Sequence, residues 1–462
     1  METEQIQFAF IKMRLLCISA FLLCSLYAVR GYDYSDVLRK SLLFYQAQRS
    51  GKLSNMDPLV SWRKNSGLND KGNNGEDLTG GYYDAGDFVK FGFPMAFTTT
   101  MLAWGVISYE KGYTKAGQLD EARRAIKWAT DYFIKCHVSA NKLYGQVGQG
   151  QVDHDYWGRP EDMKMARPAY YIDESRPGSD LAGETAAALA AASIVFSKVD
   201  AKYSQTLRSH AAQLFSFATK HRKVYSDSIT DAANFYRSSG YGDELAWSAM
   251  WLFKATNNKN YREMAEQLYN EFGLQYASGL GWDEKRSGVD LLLAEATGKK
   301  VYKDKLKGYC DYMVNSQQRT PKGLLFLGEW GSLRNAANVA FILMKTADLG
   351  INSAAYRKLA KSQIDYMLGN GGRSYVVGFG NNPPTHYHHR ASSCPNAPAT
   401  CDWNTFNGGQ ANVHTLYGAL VGGPDANDNY SDVRNDATHN EVADDYNAGF
   451  QGVVAGLKAL GY

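Results

Sequence analysis

The chain has 462 residues, of which 44% are hydrophobic and 21% charged. That is long against the usual ~100–200 residues per domain, although single barrels exceed this range, and the composition supplies a large core and excludes wholesale disorder. A formal net charge of +3, with lysines and arginines spread along the chain, excludes a sequence-local basic stripe of the kind that tracks nucleic-acid phosphates.

In chain order, Met13-Arg14, the apolar run Leu15 to Val29 and Arg30-Gly31 read as a secretory signal peptide. On this reading residues 1–31 are a signal segment, with 1–12 an upstream extension, and 32–462 are expected to form a single domain. The run is shorter than the ~20 residues that span a bilayer and no later segment comes closer, so no membrane role is expected. Cleavage near Gly31 removes Cys17 and Cys24 and leaves Cys136, Cys310, Cys394 and Cys401 in an oxidising compartment. Cys394 and Cys401 flank a proline-rich loop suited to a disulfide, while Cys136 and Cys310 sit in helical patterns that suit buried thiols. Asn429-Tyr430-Ser431 is a glycosylation sequon.

From Ser35 onward, helical periodicity dominates and strand-like alternation is scarce. About twelve helices are expected: 35–49, 94–109, 119–136, 179–198 capped by Ser179-Asp180, 203–222, 243–256, 261–272, 288–296, 302–316, 332–349, 354–368 and 444–460. Short connections make neighbours antiparallel, so the class is all-α. A closed barrel of six hairpins, an open superhelix and two bundles all satisfy this periodicity. Long loops at 143–179, 369–400 and 401–441 exceed the usual ~4–6 residues, and such loops in compact proteins are usually functional.

Three stretches carry chemistry. Gly80-Gly81-Tyr82-Tyr83-Asp84-Ala85-Gly86-Asp87-Phe88 sets two carboxylates three residues apart among glycines, which allow turns that aim short acids into a cleft. Taken alone, it reads more readily as a solvated turn that caps the next helix. His386-Tyr387-His388-His389-Arg390 offers donors to sugar hydroxyls, a transition-metal site or plain surface histidines. His439-Asn440-Glu441 precedes the last helix, and an acid in an aromatic cleft gains a raised pKa suited to proton donation. The 31 Tyr, 20 Phe and 9 Trp are mostly core, yet Tyr and Trp also pair an apolar face with a polar tip, as carbohydrate clefts require.

These stretches, with Asp432 and Glu441-x-Ala443-x-x-x-Asn447-Ala448, resemble glycoside hydrolase family 9, particularly its secreted animal-type endoglucanases. Trp157-Gly158-Arg159-Pro160, Gly178-Ser179-Asp180-Leu181 and Trp330-Gly331-Ser332-Leu333-Arg334 extend the resemblance over the mature chain. It implies an (α/α)6 barrel and inverting hydrolysis of internal β-1,4-glucosidic bonds of cellulose. By similarity Asp87 is the general base, Asp84 helps to hold the water and Glu441 is the general acid. His388, Arg390, Tyr446, Asp432, His154, Trp282 and Trp330 are implied to bind substrate. Many members hold a structural calcium in a loop like 238–244, which implies Ser239, Asp243 and Glu244 as ligands, with Asp283 a weaker candidate. No organic cofactor is implied. The expectation is a secreted, extracellular monomer that binds cellulose or cello-oligosaccharides.

Two departures stand out. Tyr387 replaces the family's usual Pro or aliphatic residue, and Ala437 replaces an aromatic four residues before the acid. The second is expected to open space beside Glu441 and weaken its raised pKa. Rival readings are a non-catalytic glucan-binding protein on the same fold, a metal-dependent hydrolase using His386, His388 and His389, and a glucanase of mixed-linkage specificity.

Overall fold

The computed structural model describes residues 31–462. All but Gly31 of the expected signal segment, including Cys17 and Cys24, lies outside the described residues. Twelve long helices carry the architecture: α1 (Tyr34–Gln48), α2 (Gly92–Lys115), α3 (Leu119–Cys136), α4 (Ser179–Phe196), α5 (Ala201–Lys220), α6 (Gly242–Thr256), α7 (Lys259–Glu271), α8 (Arg286–Thr297), α9 (Lys300–Asn315), α10 (Ser332–Asp348), α11 (Ser353–Asp365) and α12 (Asp444–Leu460).

The even-numbered helices form a closed inner ring. α2 packs on α4, α4 on α6, α6 on α8, α8 on α10, α10 on α12 and α12 back on α2. Each odd-numbered helix packs outside its even neighbour. This is an (α/α)6 barrel, and the sequence dictates the sorting. Nearly every residue of α4, the alanine-rich stretch 179–196, is buried, as expected of a helix that is apolar all round. Helix α7 buries only Ala265, Leu268 and Tyr269 and turns the rest to solvent. Inside the ring Trp104, Trp247 and Trp251 meet edge to face at 5.4–5.5 Å, each such pair contributing ~0.5–1.5 kcal/mol beyond the buried area.

The connections differ between the two rims. Links from an inner helix to the next outer one are short, such as 116–118 and 257–258. Every long loop instead leads into the N-terminus of an inner helix, so all six functional loops gather on one rim. The partial positive charge of those helix ends favours acidic side chains there.

Several expectations change. The second helix begins at Gly92 and continues to Lys115 through a kink at Tyr109 (φ −130, ψ 33). The 143–179 loop contributes to a small antiparallel sheet of β1 (Lys90–Phe91), β2 (His137–Ser139), β3 (Lys142–Val147) and β4 (Ala169–Ile172), with β1 and β2 along one edge of β3 and β4 along the other. Strands of two to six residues are too short to print alternation on the sequence. Gly178, not Ser179 or Asp180, is the N-cap of α4. Asp180 is buried and accepts from the Leu181 and Tyr225 N–H groups. Cys394 and Cys401 are disulfide-bonded, and Cys136 and Cys310 are buried free thiols.

Candidate active site

A cleft of about 670 Å³ opens on the loop-rich rim, lined among others by Asp84, Asp87, His154, Tyr236, Trp282, Trp330, Arg334, His388, Ala437, Glu441 and Tyr446. Larger recesses of about 740 and 840 Å³ flank Trp62 and Gly67, but neither takes in those three carboxyls.

The loop 80–88 is built backwards from α1. Gly80 and Gly81 adopt φ of +94 and +73, conformations that glycine tolerates best. The Gln48 side chain, at the end of α1, donates to the carbonyls of Tyr83 and Ala85. The Asp84 N–H donates to Val89 O at 3.1 Å, closing the turn. Gly86 has no room for a side chain, since a Cβ would fall 2.3 Å from His388 O, and its own carbonyl accepts from the Arg390 N–H. The glycine between the two acids therefore presses this loop against the histidine loop.

Asp87 accepts from the N–H groups of Ala85 (3.2 Å) and Val89 (3.3 Å), one on each carboxyl oxygen. Asp84 accepts from the Tyr236 hydroxyl. Burial raises both above the ordinary carboxylate range, then Asp87 raises Asp84 and Asp153 raises Asp87. Two such acids side by side resist ionising together, and the backbone donors favour the charge on Asp87.

Glu441 arrives beside His388 through backbone pairing. The His388 N–H donates to Asn440 O at 2.8 Å, and the Gly422 N–H to Glu441 O at 2.9 Å. Burial first, then Asp87 and Asp445, pushes the Glu441 carboxyl up to about 8, against Arg334 and a hydrogen bond from Trp330. The Glu441 carboxyl is raised with alanine at 437. Ala437 lines the cleft beside it. Tyr387 is buried, and its hydroxyl donates to His414 O and accepts from the Leu416 N–H, bonds that a Pro or aliphatic residue does not make.

The histidines separate by role. His388 Nδ1 donates to Arg434 O at 2.8 Å, leaving Nε2 as an acceptor, and burial pushes its pKa down to about 4, so the ring is neutral. His389 is buried between Ser392 and Gln48. His386 sits with Thr385 and Asp432. With each ring committed elsewhere, the three do not gather around one point, contrary to the metal-hydrolase alternative. Among the described residues, the possible metal ligands that do converge are Asp87, Asp153 and His154.

His154, Trp282, Trp330 and Tyr446 fall where the resemblance implied, on the cleft wall. His154 stacks on Phe235 at 4.8 Å, and Trp282 stands edge-on to Tyr236 at 5.0 Å. Arg390 and Asp432 differ. Arg390, 2% exposed, is turned behind the wall onto Asp153, whose carboxyl also accepts from the Phe88 N–H. Asp432 spends its oxygens on Thr385 and His386. Both hold loops in place and neither lines the cleft. Sequence reading missed Tyr236, Asp153 and Arg334, which pairs with Asp445 at 3.1 Å. Asp153 adjoins His154 in a long loop, and Arg334 closes a stretch already noted for its tryptophan. Tyr236 carries no local signal.

The family model for Glycosyl hydrolase family 9 matches residues 34–454. Endoglucanase B of Cellulomonas fimi is 48% identical over 450 residues, 93% of this chain but only 42% of that protein's length. The structure of an endoglucanase from the termite Nasutitermes takasagoensis is 65% identical, covering 94% of this chain and all of that one with a TM-score of 0.93. A cellulase of C. cellulolyticum in complex with cellobiose is 35% identical, covering 93% and 99% of the two chains with a TM-score of 0.87. The matched span runs from α1 into α12 and carries Asp84, Asp87 and Glu441 on one rim of the barrel; the chain is a glycoside hydrolase and belongs to glycosyl hydrolase family 9.

Proposed function

We propose that this protein is a secreted endo-β-1,4-glucanase that cleaves internal bonds of cellulose and cello-oligosaccharides with inversion at the anomeric carbon. The observation that carries the reading is the contrast across the cleft. Burial and the neighbouring acids push Glu441 up to about 8, while Asp87, itself raised by burial, accepts two backbone N–H bonds that favour its anion. Separated acid and base roles of this kind are the requirement for glycoside hydrolysis.

In the proposed reaction the glucan chain lies along the rim against Trp282, Trp330 and Tyr446. Glu441 gives its proton to the glycosidic oxygen as the bond to the anomeric carbon breaks. Asp87, with Asp84 holding the same water through its free oxygen, takes a proton from the water that attacks the opposite face. Inversion requires the two carboxyls to stand ~6.5–9.5 Å apart to admit that water. The neutral His388 presents Nε2 as an acceptor for a sugar hydroxyl. Tyr236, donating to Asp84, fixes the orientation of that carboxyl. Asp153, Arg390 and Asp432 are assigned positioning roles in the loops.

The candidate calcium ligands fit a hard cation by their chemistry. Glu244 carries a buried oxygen, Oε2, with no partner, and burial followed by Asp243 raises its carboxyl well above the usual range. Asp283 is raised as well. Ser239, Asp243 and Glu244 would hold the ion, which would supply charge neutralisation at the α6 N-terminus and take no part in the reaction; Asp283, the weaker candidate, does not bring its oxygens together with those of Asp243 and Glu244. The Cys394–Cys401 disulfide supports an extracellular location.

The test follows cellopentaose hydrolysis by proton NMR, with Glu441→Gln alongside. Early appearance of the α-anomer from the unaltered protein alone is expected. A β-anomer appearing first overturns the assigned pair, and no cleavage overturns the glucanase reading.

A further inference from the structure

The segment between Cys394 and Asn412 carries an exposed tryptophan that the proposed reaction does not use. Trp403 is 43% exposed, yet its ring is held. The indole N–H donates to Asp155 O at 3.0 Å, one residue beyond the cleft residue His154. The ring packs on Trp157 at 5.6 Å and on Phe406 at 5.3 Å. Trp157 in turn stands edge-on to the cleft residue His388 at 5.5 Å, and Phe406 does so at 6.0 Å, so Trp403 and His388 share two neighbours.

Arg434 locks this segment to the same wall. Its carbonyl accepts from His388 Nδ1, while its guanidinium donates to the carbonyls of Thr405, Phe406 and Gln410 and to Asn412 Oδ1. Asp402 and Thr405 form a capping box for the one-turn helix Trp403–Asn407, and the Cys394–Cys401 bond closes the loop ahead of it. The exposed part of the ring gains nothing by burial, and ordering the side chain costs entropy. A flat, preorganised, amphipathic face beside a carbohydrate cleft has a use, because sugar rings stack on such faces.

Resting on the glucanase reading, we propose that Trp403 is the platform of a glucosyl subsite beyond His388 that engages only the longer cello-oligosaccharides. It adds a stacking face at one end of the cleft and discriminates by chain length rather than by altering the reacting groups. Arg434 and Asp155 keep the indole in register with the wall that carries His388 and His154.

The experiment measures kcat/KM for cellotriose through cellohexaose with the full chain, Trp403→Ala and Trp403→Phe. Loss of one stacking contact is expected to lower the ratio of the cellohexaose value to the cellotriose value about 3–10-fold in Trp403→Ala, chiefly through KM. Trp403→Phe, which keeps a ring face and lacks the indole N–H, is expected to retain most of that ratio. An unchanged ratio in Trp403→Ala, or an equal loss at every length as a collapsing loop would give, overturns the subsite. Failure of the unaltered protein to cleave any member of the series overturns the glucanase reading first and the subsite with it.

Discussion

Two buried acidic clusters lie within this barrel, and they resolve the same electrostatic problem in opposite ways. In the first, Glu184 on α4 and Glu244 on α6 close on Lys285, whose ammonium is fully buried and stands 3.3 and 3.1 Å from their oxygens. Asp243 accepts from the Lys285 N–H, and Glu184 also accepts from the Trp247 indole and Thr100. In the second, Asp84, Asp87, Glu441, Asp444 and Asp445 crowd the cleft rim. Arg334 pairs with Asp445 and Arg390 with Asp153. Among the described residues, no lysine or arginine forms an ion pair with Asp84, Asp87 or Glu441. A buried carboxylate must be paired or must hold a proton. The first cluster is paired and serves the fold. In the second, Asp84, Asp87 and Glu441 are left without an ion pair beside a cavity, and their protons become available for chemistry.

Exchanging one residue in each cluster should separate the two solutions. Glu441→Gln is expected to lower turnover by about 10²–10⁴-fold, the usual cost of a lost general acid, with the thermal midpoint held or raised because an acid in a crowded site is removed. Lys285→Met should do the reverse. It leaves Glu184 and Glu244 buried without their cation, at a cost of about 3–5 kcal/mol in stability, read as a lower midpoint in calorimetry. A Glu441→Gln protein that unfolds early, or a Lys285→Met protein of ordinary stability, would erase the distinction.

The second test is titration. Glu441 binds its proton more tightly when folded, up to about pH 8, than at the ordinary 4.5 of a free glutamate. Its contribution to stability is therefore fully present below about 4.5 and lost as pH rises through about 8. Activity carries the same group on its alkaline limb. The acid must be protonated, so kcat/KM should fall through an apparent pKa near 8, while the acidic limb follows the coupled Asp84–Asp87 pair, raised above the ordinary aspartate value. The alkaline limb should vanish from the residual activity of Glu441→Gln. A limb that persists there belongs to another group.

The same contrast explains how much was legible in the sequence. Periodicity gave the helices, because outer helices such as α7 bury a narrow stripe and inner ones such as α4 are apolar throughout, and the glycines around Asp84 marked a turn. Closure of the ring was not legible, since it depends on contacts such as α2 with α12, which lie at opposite ends of the chain. Neither was the direction of a charged side chain. Arg390 and Asp432 sit in the same short stretches as His388 and Glu441, but their partners, Asp153 and Thr385, are set by loops far away in sequence. Tyr236 reaches Asp84 across 152 positions, and no local pattern announces it.

The smallest expected effect probes how completely Lys285 neutralises its cluster. The lysine sits against Glu244 Oε1, and the other oxygen, Oε2, is buried without a partner. Asp243 and Asp283 bring further negative charge to the same helix N-terminus, one bonded to the Lys285 N–H and the other to the Ser239 N–H. One ammonium cannot balance four carboxylates, Glu184 included, so a hard cation that accepts oxygen donors should add to it. At about 100 times its dissociation constant, calcium bound only to the folded state contributes ~2.7 kcal/mol. Scanning calorimetry with chelator and then with millimolar calcium should show the midpoint rising by a few degrees, with kcat on cellopentaose unchanged at temperatures well below it. In Lys285→Met the calcium-dependent rise should grow, because the ion then meets more uncompensated charge. A midpoint indifferent to calcium in both proteins would mean that protons, not a cation, relieve Glu244, and that the two clusters differ in degree rather than in kind.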